Sequence, residues 1–282
     1  MLLTPGQYFR LQGRKPRKRF GQHFLSQSGT AEKIVASADL DQNDVAVEVG
    51  PGLGALTRHI LHRVNRLHLV ELDRDLAGYL KENLEPGNCR VEVHQQDVMT
   101  FDFSSLSRRE GRRMVLLGNL PYNISSPLLF HILSSGPAVK RAVFMVQREV
   151  GERIAAEAGG KDYGVLSVLL GICSTVRPLF TVDPSQFYPP PRVDSLVVRI
   201  DFPDEPPAVG LFFDFLRRLV SVSFQKRRKT LQNSLKGSGW FQAEVLDEAF
   251  RACGIDPRRR PETLRPEEFL KLAEFLYRRG KR

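Results

Sequence analysis

The sequence predicts an α/β fold in which a seven-stranded, mostly parallel sheet with an antiparallel edge precedes a small all-helical C-terminal domain, and three observations carry that expectation. From residue 45 onward, short β-branched runs alternate with amphipathic segments, the pattern of parallel strands joined by helical crossovers. The first run ends in Val47-Glu48-Val49-Gly50-Pro51-Gly52-Leu53-Gly54, a glycine-rich turn that opens a helix. The stretch Phe202-Pro203-Asp204-Glu205-Pro206-Pro207 then breaks the rhythm with three prolines in six residues, and only helical spacings follow it.

Taken in order, strands are expected at 45–49, 67–72, 90–95, 114–118, 141–146, 175–182 and 195–201. Between the first five, apolar residues recur at helical spacing in 54–63, 74–83 and 126–134. The last two strands follow each other with no room for a long helix, so they are expected to form the antiparallel edge of a Rossmann-like sheet. Beyond the prolines, helices are expected at 209–224, 226–236, 241–253 and 266–278, with Thr263 as a start signal and Gly254 as a stop. The domain limits expected from these patterns are a basic tail at 1–19, a sheet domain at 20–202 and a helical domain at 203–282.

The chain has 282 residues and a net charge of +10, which is unevenly placed. Residues 1–19 carry six basic and no acidic side chains, residues 20–202 carry 19 against 21, and residues 203–282 carry 17 against 11. Basic ends of this kind suit a polyanion whose counterions are released on binding. No apolar run approaches the length of a membrane span, and no apolar core of a secretory signal is present. A basic, acid-poor start can also serve as an organellar leader, but its prolines and weak periodicity favour a cytoplasmic chain. The three cysteines, Cys89, Cys173 and Cys253, have no pairing or zinc spacing.

Four strand ends hold the candidate chemistry. Gly50 and Gly52 let a ligand approach the backbone beneath a helix N-terminus. Read as Gly50-x-Gly52-x-x-Ala55, the same residues would satisfy a dinucleotide fingerprint, so a dehydrogenase is the rival at this point. Glu71 closes the second strand, where a carboxylate can accept from both ribose hydroxyls, and Asp97 closes the third, where it can accept from an adenine amino group. Together they suit an adenosine-containing ligand.

Asn119-Leu120-Pro121-Tyr122 closes the fourth strand. The lone pair of an adenine amino group is delocalised into the ring, so the group needs acceptors for its hydrogens before the nitrogen can attack. The Asn119 side-chain oxygen and the carbonyl of Leu120 or Pro121 are the candidate acceptors. Tyr122 would stack on a base taken out of its helix, and Phe187, ahead of Tyr188-Pro189-Pro190-Pro191, on its other face.

On these stretches, the chain resembles the small-subunit branch of the ribosomal RNA adenine dimethyltransferase family. The matching segments also include Arg19-Phe20-Gly21-Gln22-His23-Phe24-Leu25, Gln147-Arg148-Glu149-Val150, Tyr163-Gly164, Phe187 to Val197 and Lys226-Arg227-Arg228-Lys229-Thr230-Leu231. The resemblance implies S-adenosylmethionine as methyl donor, contacted by His23, Leu25, Gly50, Gly52, Glu71, Asp97 and Asn119, with Phe20 to Leu25 covering it. It also implies N6,N6-dimethylation of two adjacent adenosines near the 3' end of small-subunit rRNA, by a monomer acting on the immature 30S subunit. Arg17, Lys18, Arg19, Arg217, Arg218, Lys226, Arg227, Arg228 and Lys229 are the candidate phosphate contacts.

No metal is expected. His59 and His62 stand one helical turn apart and His68 lies on the next strand, without an acidic or Cys partner to complete a ligand set. Asn119 to Tyr122 has no role in hydride transfer, which sets the dehydrogenase aside, and two rivals remain: a related methylase of large-subunit rRNA or DNA, and a non-catalytic ribosome assembly factor.

Overall fold

The structure is a computed structural model that describes every residue except Met1, Arg14, Lys18, Arg19, Phe20, Arg227, Lys281 and Arg282. The described residues form nine strands: β1 (Phe24–Leu25), β2 (Val45–Val49), β3 (Arg66–Glu71), β4 (Arg90–Gln95), β5 (Met114–Asn119), β6 (Val139–Gln147), β7 (Thr175–Val182), β8 (Phe187–Tyr188) and β9 (Ser195–Asp201). Seven of them form one sheet in the order β4-β3-β2-β5-β6-β9-β7. The pairs β4/β3, β3/β2, β2/β5 and β5/β6 are parallel, and β9 runs antiparallel beside β6. The expected α/β sheet is therefore present, with β9 inserted between β6 and the outermost β7.

Every residue of β2 is buried, as befits a central parallel strand covered on both faces. From β2 the chain moves outward through β3 to β4, then returns to the other side of β2 to form β5 and β6. This reversal opens a crevice at the carboxyl ends of β2 and β5, where ligands of such sheets bind.

The chain divides into two compact units, Met1–Gly151 with Arg177–Asp204, and Glu152–Val176 with Glu205–Arg282. The 152–176 stretch, expected within the sheet domain, thus belongs to the helical unit. Its helix Val165–Cys173 is almost wholly apolar, and the Tyr163 hydroxyl donates to the Leu264 carbonyl at 2.9 Å within the same unit. Short apolar periods alone do not separate such a buried helix from a strand.

Several local expectations change. The 54–63 segment holds only a short helix, Thr57–Ile60, flanked by turns that take up the glycine-rich approach. The 226–236 helix begins only at Leu231, because Thr230 caps it by accepting from the Asn233 amide. Lys226, Arg228 and Lys229 consequently lie in an exposed turn, which keeps like charges from stacking along a helix. Gly254 does end Ala243–Cys253 in a left-handed conformation, whereas Thr263 closes a single turn, Pro261–Thr263, and the last helix starts at Pro266. Helices at Ser28–Ser37 and Phe103–Glu110 were not expected from spacing.

The basic start is folded over part of its length. Thr4 and Gln7 form a reciprocal cap for a helix at Pro5–Gln12. Its Tyr8 and Phe9 pack with Phe24, Leu53 and Leu76, while Tyr8 meets Tyr79 edge to face at 4.9 Å. The buried residues Pro5, Tyr8 and Phe9 span little more than one turn, too short to register as amphipathic periodicity.

Candidate active site

The carboxyl ends of β2, β3 and β5 and the turn after β4 surround a cavity of about 380 Å³. His23, Leu25, Gly50, Gly52, Glu71, Asp97, Asn119, Leu120, Pro121 and Tyr122 all line it. Five segments, each about two dozen residues from the next, are thereby gathered around one space.

Gly52 has φ of +58°, and a Cβ there would come within 3.0 Å of the Phe24 ring, so the turn passes directly beneath the β1 segment. The Gly52 amide donates to Glu71 Oε2 at 3.0 Å and the Asp73 amide donates to Glu71 Oε1 at 2.9 Å. These bonds aim the Glu71 carboxylate into the cavity and leave each oxygen a further lone pair for a ribose hydroxyl. Burial pushes the Glu71 pKa up to about 7 against the lowering effect of these amides. Asp97 is exposed at the rim and accepts from the Met99 amide at 2.9 Å, so one oxygen caps a turn and the other is available to a ligand.

At the end of β5 the Asn119 amide nitrogen donates to the His23 carbonyl at 2.7 Å. This bond fixes which end of the side chain is which: Oδ1 is the acceptor left over. Asn119 could not be held this close to β2 without Gly118, where a Cβ would sit 2.7 Å from the Val49 carbonyl. Gly118→Ala is expected to shift the strand end and lower the rate of the reaction at this site by about 100-fold, since small misplacements of reacting groups carry that cost. Single-turnover kinetics at saturating donor, set beside the donor Kd, will check it.

Of the two carbonyl candidates, Pro121 already accepts from the Ile124 amide at 3.1 Å and the Ser125 hydroxyl at 3.2 Å. Leu120 is therefore the better second acceptor. The Tyr122 hydroxyl bonds Ser195 at 3.2 Å, and burial raises its phenol above the ordinary value, so it stays neutral. Its ring stacks on His23 with centroids 5.5 Å apart and planes at 25°. His23 Nδ1 faces the Pro189 carbonyl at 2.8 Å and must carry the proton there, because a carbonyl can only accept.

Three expectations are corrected. Phe187 does not reach the cavity: it is 4% exposed, pairs with Leu25 in the β1/β8 ribbon and belongs to the core. Alternation along a strand turns Phe187 inward and the neighbouring Tyr188 outward. Arg17 is engaged within the chain, its guanidinium bonding Asp73 at 3.0 Å and Asp75 at 2.7 Å, so it braces the cavity wall rather than awaiting phosphate. Third, His68 does have acidic and histidine neighbours, Glu92 and His94, brought beside it by the β3/β4 pairing. His59 instead bonds the Ser28 hydroxyl at 3.2 Å.

Arg217 and Arg218 are exposed on Gly210–Phe224, the first near Asp214 and the second over the Trp240 ring at 4.4 Å. Lys18, Arg19 and Arg227 lie outside the described residues.

Glu48 was not singled out from sequence. It is 2% exposed in the middle of β2, lines the cavity and accepts from the Thr57 hydroxyl at 2.6 Å. An acid inside a wholly apolar strand was the available signal. Burial raises its pKa to about 8, so between the ordinary value of 4.5 and that point the folded chain keeps a proton that the unfolded chain releases. Stability contributed by this group is present at low pH and lost as pH rises, by up to about 1.4 kcal/mol per pH unit. Glu48→Gln is expected to flatten the fall in melting temperature above pH ~5. Glu71 adds a slope of the same sign over a narrower window, ending near pH ~7, that persists in the variant.

Among the described residues no helix is long and apolar enough to cross a membrane. Residues 13–278 match the family model described as ribosomal RNA adenine dimethylase. A protein named ribosomal RNA small subunit methyltransferase A from Nitrosococcus oceani is 49% identical over 265 residues, covering 93% of this chain and 97% of the relative. Its namesake from Laribacter hongkongensis is 44% identical over 266 residues, covering 94% and 98%. Among solved structures, a dimethyladenosine transferase from Plasmodium falciparum matches with a TM-score of 0.78 at 27% identity, over 92% of this chain and 98% of that one. The 23S rRNA methyltransferase ErmE matches with a TM-score of 0.67 at 26% identity, over 90% and 99%.

Proposed function

The chain belongs to the ribosomal RNA adenine dimethylase family, and from that premise we propose that it dimethylates N6 of two adjacent adenosines near the 3' end of small-subunit rRNA, using S-adenosylmethionine. The observation that carries the reading is the orientation of Asn119, whose amide nitrogen is held by the His23 carbonyl while its oxygen is left as an acceptor at the cavity edge.

The cavity fits an adenosine-based donor, because Glu71 presents a carboxylate with spare acceptor positions beside a glycine turn and Asp97 presents another at the rim. When bound, S-adenosylmethionine supplies an electrophilic methyl group. Asn119 Oδ1 and the Leu120 carbonyl accept hydrogen bonds from the N6 hydrogens, two before the first transfer and one before the second, which draws the lone pair from the ring back to nitrogen. Each transfer forms one N–C bond, returns the electron pair of the broken C–S bond to sulfur and releases one proton from N6. Two transfers per base on two bases make four. Tyr122 offers the face opposite His23 to the extruded adenine, or both faces if His23 withdraws. No metal has a place in this step, since its needs are acceptors and a methyl electrophile.

The small-subunit substrate is favoured over the large-subunit alternative by the names and higher identity of the bacterial relatives. We place the activity in the cytoplasm, on the immature 30S subunit, with the chain acting as a monomer. The test is mass spectrometry of rRNA after incubating immature small subunits with the purified chain and labelled donor. Dimethyladenosine at adjacent positions is the expected product. Modification of large-subunit rRNA alone would assign the chain to the second substrate, and no transfer to any rRNA would leave the assembly-factor reading.

Binding of the subunit is expected to weaken steeply with salt. Alanine at Lys226, Arg228 and Lys229 together should reduce the slope of log K against log[salt] by roughly one for each phosphate that is no longer neutralised.

A further inference from the structure

Away from the cavity, along β3 and β4, lies a polar cluster that the proposed chemistry does not use. The parallel register sets His68 opposite Glu92 and Val70 opposite His94, so alternation turns His68, Glu92 and His94 to one face. His68 Nδ1 and His94 Nε2 share a hydrogen bond at 3.1 Å, while Glu92 sets one carboxylate oxygen 3.6 Å from His68 Nδ1 and the other 3.6 Å from His94 Nε2.

The separation of the two nitrogens is close to an edge of a coordination polyhedron, since an ion about 2.0–2.1 Å from each ligand in tetrahedral geometry spaces the ligand atoms by about 3.3 Å, and one ligand atom from each of the three residues lies within 4.8 Å of the others. A second feature points the same way. The remaining His68 nitrogen, Nε2, lies 3.5 Å from Glu110 Oε1, and both side chains are buried. A carboxylate facing the non-ligating nitrogen favours the tautomer that offers Nδ1 as a lone pair, the arrangement that supports metal-binding histidines.

We propose that His68, Glu92 and His94 bind a divalent transition ion of the zinc type, with Glu110 orienting His68 and solvent completing the coordination. Two imidazoles and one carboxylate favour such an ion over magnesium or calcium, which prefer all-oxygen sites. Arg109 is its competitor. Its guanidinium bonds Glu92 at 2.8 Å and is half exposed, so it can swing away, and while in place it repels a cation.

The site stands three residues before Glu71 on β3 and three before Asp97 after β4, and β4 is the edge strand of the sheet, paired with β3. The ion therefore ties the edge strand to its neighbour just ahead of the two acids expected to hold adenosine.

The test titrates the full chain, dialysed against chelator, with Co²⁺ and follows the visible absorption that distinguishes four-coordinate from six-coordinate cobalt, then displaces it with Zn²⁺. One four-coordinate ion per chain is expected. His94→Ala should weaken binding by at least about tenfold and Glu110→Gln by about tenfold, while Arg109→Ala should tighten it severalfold. A replacement of His59 and His62 by alanine should change nothing. The proposal is overturned if four-coordinate absorption is absent, if Arg109→Ala leaves the affinity unchanged, or if the His59/His62 variant abolishes binding. Should His94→Ala fail to fold, the cobalt spectrum of the parent chain and the half-exposed Arg109 variant still decide the matter.

Discussion

Asn119→Ala is expected to lower the rate of methyl transfer by about 100- to 1,000-fold, the usual cost of removing one preorganised hydrogen-bonding group from a reaction centre. The lost group is the acceptor Oδ1, whose position follows from the bond between the Asn119 amide and the His23 carbonyl. An acceptor that draws the N6 hydrogens out of the ring plane acts mainly as the nitrogen becomes tetrahedral, so the loss falls on the transfer rate more than on binding. Donor Kd and subunit Kd should each move by less than about tenfold. Asn119→Asp separates the two parts of the argument: it keeps an acceptor but sets a carboxylate against the His23 carbonyl, so it should remain strongly impaired. Single-turnover transfer to immature subunits, with both Kd values, makes the check. Loss of subunit binding in Asn119→Ala would instead give this residue a structural role.

The second large effect is expected at Glu71. Hydrogen bonds to a charged group contribute roughly 1.5–3 kcal/mol each, and a carboxylate that accepts from both ribose hydroxyls makes two. Part of that gain is offset by holding the charge in a buried site, so Glu71→Ala should weaken binding of S-adenosylhomocysteine by about 100- to 1,000-fold. Glu71→Gln is not a mild replacement. The two Glu71 oxygens accept from the Gly52 and Asp73 amides, and a glutamine must turn its NH₂ toward one of these donors. A pH profile provides an independent sign. Because burial raises the Glu71 pKa to about 7, ligand affinity in the parent chain should increase as pH rises through that point and then level off. Neither variant should show that rise. Calorimetric titration between pH ~6 and ~8 tests both statements.

Much of the site could be read from the chain alone because each of its parts is a strand end. A β-branched run followed by glycine, acid or Asn-Leu-Pro-Tyr reveals a strand and the chemistry at its terminus together. Arg74–Asn83 and Ser125–Ser134 were equally legible, since their apolar stripes are long enough to repeat. Pro5–Gln12 was not, because two aromatic residues make no period, nor was Val165–Cys173, because a helix apolar on nearly every side has no stripe.

By itself, then, the sequence determined the seven strands of the main sheet in their order along the chain, the residue types at their ends and so the adenosine-directed character of the crevice, but not the short β1/β8 ribbon. Only the tertiary structure decided which of those residues share a space and which are already engaged. It buries Phe187 against Leu25, assigns Arg17 to Asp73 and Asp75, and places His94 beside His68. Each outcome depends on register between segments far apart in the chain. A shift of one residue would reverse every side chain across the sheet, and local spacing carries no record of that register.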